Sequence, residues 1–153
     1  MDNSSFIWND HIQKHRANGH LGGKLNVGYA INAESPDFIA AGSLQSDSKE
    51  YANFLIAIMR NEILSEKSYQ EFLKIQSISP YDEKYKEPSY NYGLGIVIEE
   101  TSYGTNYAHG GENLSHTCRY MFNKEQKVGY VFFTNSEHKM TFDKNLMDFL
   151  LSQ

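Results

Sequence analysis

The chain has 153 residues, 40% hydrophobic and 14% aromatic, which is enough for the core of one ordinary domain. With 14 basic residues against 19 acidic ones the net charge is −5, and no block of Lys and Arg exists, so no nucleic-acid partner is expected. No apolar run approaches the roughly 18 residues of a membrane span, residues 1–20 lack the short apolar stretch of a signal peptide, and Cys118, the single cysteine, excludes an internal disulfide.

Taken in order, residues 1–20 are polar apart from Phe6-Ile7-Trp8. Residues 19–29, GHLGGKLNVGY, are glycine-rich and read as irregular. In SDSKEYANFLIAIMR the residues Tyr51, Phe54, Leu55 and Ile58 recur at helical spacing, which predicts an amphipathic helix over 47–60. Asp47, with Glu50 three residues on, forms its expected capping box. A second short helix is predicted over 65–75, and 76–90, with Pro80 and Pro88, reads as a loop. The period then shortens. YGLGIVIEE (92–100), TNYAHGG (105–111), SHTCRYMFN (115–123) and KVGYVFFTNS (127–136) read as four strands joined by short turns. Short connections favour antiparallel neighbours. Strand 127–136 is apolar on both sets of alternate residues, so it is predicted to be buried on two faces. The tail FDKNLMDFLL closes the chain as a helix with Phe142, Leu146, Phe149 and Leu150 on one face. The fold class is α+β, an antiparallel meander flanked by helices.

In that order the motifs resemble those of a known family. MDNSSFIW, Gly28-Tyr29, AAGSLQSDSKEYANFL, YGLGI, HGG (109–111) and FFTNS are similar to the C-terminal part of class C β-lactamases, their penicillin-binding relatives and related esterases. The resemblance runs over nearly the whole chain. It implies a partial β-lactamase-like fold, with residues 1–153 a single C-terminal portion of the domain. It also implies acyl transfer on a β-lactam, a D-amino-acid peptide or a small ester.

The resemblance assigns roles to one stretch. His109-Gly110-Gly111 stands where the family carries Lys-Thr-Gly or His-x-Gly, on the strand that lines the substrate cleft. Glycine there lets a substrate approach the backbone. Glu112, the next residue, would donate its N–H to an oxyanion hole, and His109 would stand beside the nucleophile. The turn that follows, Asn113-Leu114-Ser115-His116, departs from the family's Pro-Gly-Phe type, which points to a different substrate preference.

The family's chemistry needs a Ser-x-x-Lys at the start of a buried helix and a Tyr-x-Asn on a facing loop. Both lie upstream of the region this chain resembles, so the nucleophile-bearing N-terminal portion is expected to be absent and the chain inactive alone. Ser46-Asp-Ser-Lys49 and Tyr51-Ala-Asn53 fit the patterns, but they sit on one helix rather than on facing elements. At about 100° per residue Tyr51 and Asn53 point about 200° apart. Ser136-Glu-His-Lys139 follows a strand instead of opening a helix. No catalytic residue in this chain is therefore credible.

His11 and His15 have the i, i+4 spacing of metal ligands, with His20 near, but no Glu lies between them, so no metal is expected. GHLGGK does not make a phosphate loop, and no cofactor is expected. The alternative function is a non-catalytic module derived from the fold that binds a peptide or partner protein. A substrate, small molecule or peptide, is expected if an N-terminal portion completes the site. Homo-oligomers are also expected. The faces carrying Phe54, Leu55 and Ile58, and Tyr120, Phe122 and Phe132, would otherwise lie uncovered.

Overall fold

Tight turns and caps set most of the local structure. The computed structural model describes residues 1–26, 39–80, 90–137, 145–146, 149–150 and 152. Helix α1 (Asp10–His15) opens on Asn9, whose side chain accepts the Ile12 N–H at 3.0 Å. Strands β1 (Gly19–Leu21) and β2 (Lys24–Asn26) then pair antiparallel, with Leu21 opposite Lys24. The sequence reading of 19–29 as irregular is corrected here. Gly22 and Gly23 both have positive φ, +58° and +71°, so the glycines form the two-residue turn that joins a hairpin. The rest of that stretch, 27–29, lies outside the described residues.

Helix α2 (Ser48–Met59) is capped as expected at one end: Asp47 accepts the Glu50 N–H at 2.9 Å. The other half of the expected capping box does not form. The Glu50 carboxylate reaches instead to the Asp2 and Asn3 amides, each at 3.0 Å, and to the Ser4 hydroxyl at 2.8 Å. At its far end α2 stops on Asn61, φ +54°, with Asn61 N–H on Ile58 O and Glu62 N–H on Ala57 O, the paired bonds of a Schellman cap. Helix α3 (Glu66–Leu73) is capped by Ser65.

The strands form one antiparallel meander: β3 (Ser77–Ser79), β4 (Tyr90–Tyr92), β5 (Val97–Thr101), β6 (Gly104–Asn113), β7 (His116–Asn123) and β8 (Val128–Thr134), in that spatial order. The fold is α+β, as the element pattern implies. Two boundaries differ from the sequence reading. The expected loop 76–90 contains β3 and the start of β4, with 81–89 outside the described residues. YGLGIVIEE is not one strand. Tyr92 ends β4, and Gly93–Ile96 turns the chain, with Gly95 at φ +75°, before β5 starts. Two glycines in an alternating pattern marked a bend rather than a strand interior.

β8 was expected to be buried on two faces and is not. It ends the strand order among the described residues; Gly129 and Phe133 are exposed and the other five residues are half-buried. An apolar pair of faces reports composition, not central position. In the tail, 145–146 and 149–150 are helical, while Phe142 falls outside the described residues.

The chain forms two compact units, and β6, β7 and β8 run through both. Residues 1–54, 110–119 and 131–143 make the first. Among its described residues the buried side chains are mostly small and polar, Ser43, Ser115 and Thr117, with Ile12 the buried apolar one. Tyr51 packs edge-on against Phe54 and Phe133 at 5.6 and 5.7 Å. Residues 55–109, 120–130 and 144–153 make the second, which carries the apolar core. Leu55, Ile58, Tyr69, Ile96, Ile98, Met121 and Phe122 are buried there. Tyr107 stacks on Phe122 at 5.2 Å, and Lys124 lies over the Tyr69 ring at 4.4 Å. Of the faces expected to be uncovered, Leu55, Ile58 and Phe122 are buried, while Phe54, Tyr120 and Phe132 are half-buried. Exposed large apolar side chains include Ile56 on α2 and Phe133 on β8, and Ile63, Ile78 and Leu94 outside them.

A buried polar node holds two turns of the second unit. Asn123 Nδ2 donates to Asn106 Oδ1 at 2.9 Å and to Tyr103 O at 3.4 Å, and Asn123 Oδ1 accepts the Gln126 N–H at 2.9 Å. Asn123 and Asn106 are both buried. Replacing Asn123→Leu removes the partners of a buried amide and of the turn N–H. The expected loss is about 2–3 kcal/mol, read as a lower urea midpoint at unchanged slope.

The Glu50 clasp makes a second test. Partial loss of water pushes this carboxyl up, but the Ser4 hydroxyl, the Asn3 and Asp2 amides and the N-terminal ammonium outweigh it, so it titrates below its ordinary value of 4.5. The lowered value means the clasp contributes above pH 4.5 and is lost as pH falls through the folded-state value beneath it. The Asp2 and Asn3 amide resonances are expected to shift in that acid window in the natural chain and to stay flat in Glu50→Gln.

Candidate functional site

The singled-out stretch lies on β6, and the register explains why it differs from the rest of the strand. β5 pairs with β6 from Thr101 opposite Gly104 to Val97 opposite Ala108. β6 continues to Asn113. His109, Gly110, Gly111, Glu112 and Asn113 therefore run past the end of β5, with β7 on their other side.

The two glycines have different surroundings. A Cβ on Gly110 would come within 3.0 Å of the Cys118 carbonyl oxygen and 3.1 Å of Arg119 Cδ, so no larger residue fits without displacing β7. A Cβ on Gly111 would meet Cys118 Sγ at 3.5 Å, an ordinary contact, so this position tolerates a side chain on packing grounds. His109 and Gly110 are half-buried, while Gly111 and Glu112 are exposed. Cys118 keeps exposed surface. The protein around its sulfur still pushes the thiol above its ordinary value, against a Gly111 N–H that favours the thiolate. Burial also pushes the Tyr51 phenol up, and a charge on Cys118 would add to this. These groups are neutral at pH 7, so the strand presents backbone and His109 rather than a reactive thiolate.

The rejected nucleophile patterns have structural jobs. Ser46 Oγ lies 2.8 Å from Ser4 Oγ, beside the Glu50 clasp. Tyr51 is half-buried among aromatic rings and Asn53 is exposed, as their angular separation requires. Ser136 Oγ shares a hydrogen bond with Thr134 Oγ1 at 2.9 Å, and its carbonyl accepts from Thr117 Oγ1 at 3.2 Å. Lys139 is outside the described residues. The His11 and His15 rings lie 4.4 Å apart, and His15 Nδ1 is 2.9 Å from the His11 carbonyl, so His15 donates to its own helix. No group of three or more potential metal ligands exists among the described residues.

The sequence reading missed how the Asn113–His116 turn is held. Ala17 and Gly19 lie against it. The signal was present in GHLGGK, where a glycine ahead of the turn pair implies close backbone approach. Gly28-Tyr29, part of the motif series, lies outside the described residues.

The comparisons agree with this architecture. The chain matches the family model described as Beta-lactamase over residues 1–152. No curated protein matches it. Among solved structures, the octameric penicillin-binding protein homologue from Pyrococcus abyssi superposes with a TM-score of 0.77 at 21% identity, which shows a shared fold. That match covers 100% of this chain and 35% of the other, so the chain spans about a third of its neighbour's length. With the motif order, the meander and a family match from residue 1 to 152 in agreement, the chain belongs to the beta-lactamase family.

Proposed function

We propose that residues 1–153 are a single C-terminal portion of a β-lactamase-like serine hydrolase domain and supply its substrate-lining strand. The observation that carries this reading is the run of β6 beyond β5, with glycine at two successive positions. A substrate acyl group laid along His109–Glu112 would meet backbone, with the Glu112 N–H aimed at the carbonyl oxygen as it gains charge. The chemistry is acyl transfer. A serine hydroxyl adds to the carbonyl, the leaving group departs with the proton, and water then cleaves the serine ester. The substrate is a β-lactam, a D-amino-acid peptide or a small ester. The serine and its base come from outside these residues.

A second reading is a non-catalytic module that uses the same strand to bind a peptide. It is favoured by the commitment of the Ser46 and Ser136 hydroxyls to structural contacts. A coding sequence next to this one that carries Ser-x-x-Lys and Tyr-x-Asn supports the enzyme. Lack of acylation in any such combined protein supports the module.

Two measurements test the leading reading. Intact-mass analysis after incubation with a chromogenic cephalosporin or a nitrophenyl ester is expected to show no covalent adduct on the chain alone. An adduct on Ser46 or Ser136 overturns that assignment. Titrating the ¹⁵N-labelled chain with an acyl-D-alanyl-D-alanine peptide is expected to shift the amides of 109–112. Shifts confined to other strands would remove β6 as the substrate strand.

Self-association belongs to the same proposal. Ile63, Ile78 and Leu94 are exposed, and the penicillin-binding protein homologue is described as octameric. Light scattering is expected to show a mass above the monomer that falls on dilution. A monomer mass held at high concentration, with no dye binding, is the contrary result.

A further inference from the structure

The turn that follows Glu112 is Asn113-Leu114-Ser115-His116, and the structure ties it to a distant part of the sequence. His116 Nε2 is 3.3 Å from the Ala17 carbonyl oxygen, and Ser115 Oγ is 3.4 Å from His116 Nδ1. A carbonyl only accepts, so Nε2 carries a proton and donates to the Ala17 oxygen, while the Ser115 hydroxyl lies beside Nδ1. Ser115 is fully buried, so this hydroxyl is not a nucleophile open to a substrate.

The segment on the other side of these bonds is itself fastened. Asn135 Nδ2 donates to Asn18 O at 2.8 Å, and His20 N–H donates to Asn135 O at 2.7 Å. His20 Nδ1 lies 3.2 Å from the same carbonyl. The Glu137 carboxylate accepts the Gly22 N–H at 2.6 Å. Residues 17–22 thus bridge the end of β8 to the β6–β7 turn, all within the first unit. The contact has no slack. A Cβ on Gly19 would lie 2.3 Å from Ser115 Oγ and 2.7 Å from His116 Cε1.

We propose that His116 is a positioning residue for the Gly111–Glu112 backbone, acting through its bond to Ala17 and the Gly19 seat. Leu114 sits at φ +30° and is exposed, so the turn is not held by burial of its own tip. Beside the buried Ser115, the polar brace holds it. The turn begins one residue after Glu112, so the freedom of the turn sets how firmly that amide is aimed. The functional value of the brace rests on the proposed role of Glu112 in acyl transfer; the brace itself does not.

Three variants of the whole chain test this by amide hydrogen exchange and by affinity for the acyl-D-alanyl-D-alanine peptide. His116→Ala removes the donor. It is expected to speed exchange at Gly111 and Glu112 roughly tenfold, the scale of one net hydrogen bond, with Ile98 unchanged. His116→Gln returns a donor at the reach of Nε2 and is expected to restore natural exchange. Gly19→Ala is expected to act like His116→Ala. Peptide affinity is expected to fall by a similar factor in His116→Ala and to recover in His116→Gln. Exchange unchanged in His116→Ala overturns the proposal, and so does acceleration spread evenly to Ile98. If the natural chain binds no peptide, the substrate-strand reading fails and the exchange pattern alone decides whether the brace exists.

Discussion

β6 is ten residues long and β5, its neighbour, is five. Much of what sets this chain apart follows from that mismatch. A strand inside a sheet spends its N–H and C=O groups on both neighbours. Once β5 ends opposite Ala108, the remaining backbone of β6 faces a different environment on that side. A β-structure that recognises extended ligands commonly does so at such a place, because main-chain groups supply the bonds and side chains supply selectivity. In the proposed function His109–Glu112 would offer two glycines, which bring nothing bulky to a substrate's approach.

The mismatch also explains where the structure spends its polar contacts. The second unit is closed by Ile96, Ile98, Met121 and Phe122, an ordinary apolar core around the paired part of the sheet. The first unit holds the end of β6, and among its described residues Ile12 is the buried large apolar side chain. It is laced instead by directed bonds: Glu50 to residues 2–4, Asn135 to Asn18, His116 to Ala17, Thr117 to Ser136. Hydrophobic burial is non-directional, whereas hydrogen bonds fix atoms relative to one another. On the proposed reading of β6 as a substrate strand, its amides are better held by the second kind.

Residues that match catalytic patterns in the wrong place turn out to serve this lacing. Ser46 meets Ser4 beside the Glu50 clasp, Ser136 meets Thr134, and Glu137 holds the Gly22–Gly23 turn. Serine next to lysine three residues on is a common accident in a polar sequence. What separates the accident from a nucleophile is the element that carries it and the partner its hydroxyl already has.

The sequence by itself determined the α+β class, the helices over α2 and α3, the meander and the family, because these rest on local period, caps and motif order. Tyr51 inward and Asn53 outward also followed from helical geometry alone. It did not reveal the hairpin at Gly22–Gly23, because glycine pairs read equally as hairpin turns and as irregular chain. The split of YGLGIVIEE into two strands, the place of β8 at the end of the strand order among the described residues and the burial of Leu55 and Phe122 were decided by contacts between distant segments. The brace from Ala17 to His116 joins residues 99 apart in the chain, and Glu50 reaches back 46 to 48 residues. No local pattern encodes such contacts: the residue types are ordinary, and only the tertiary arrangement brings their donors and acceptors within bonding distance.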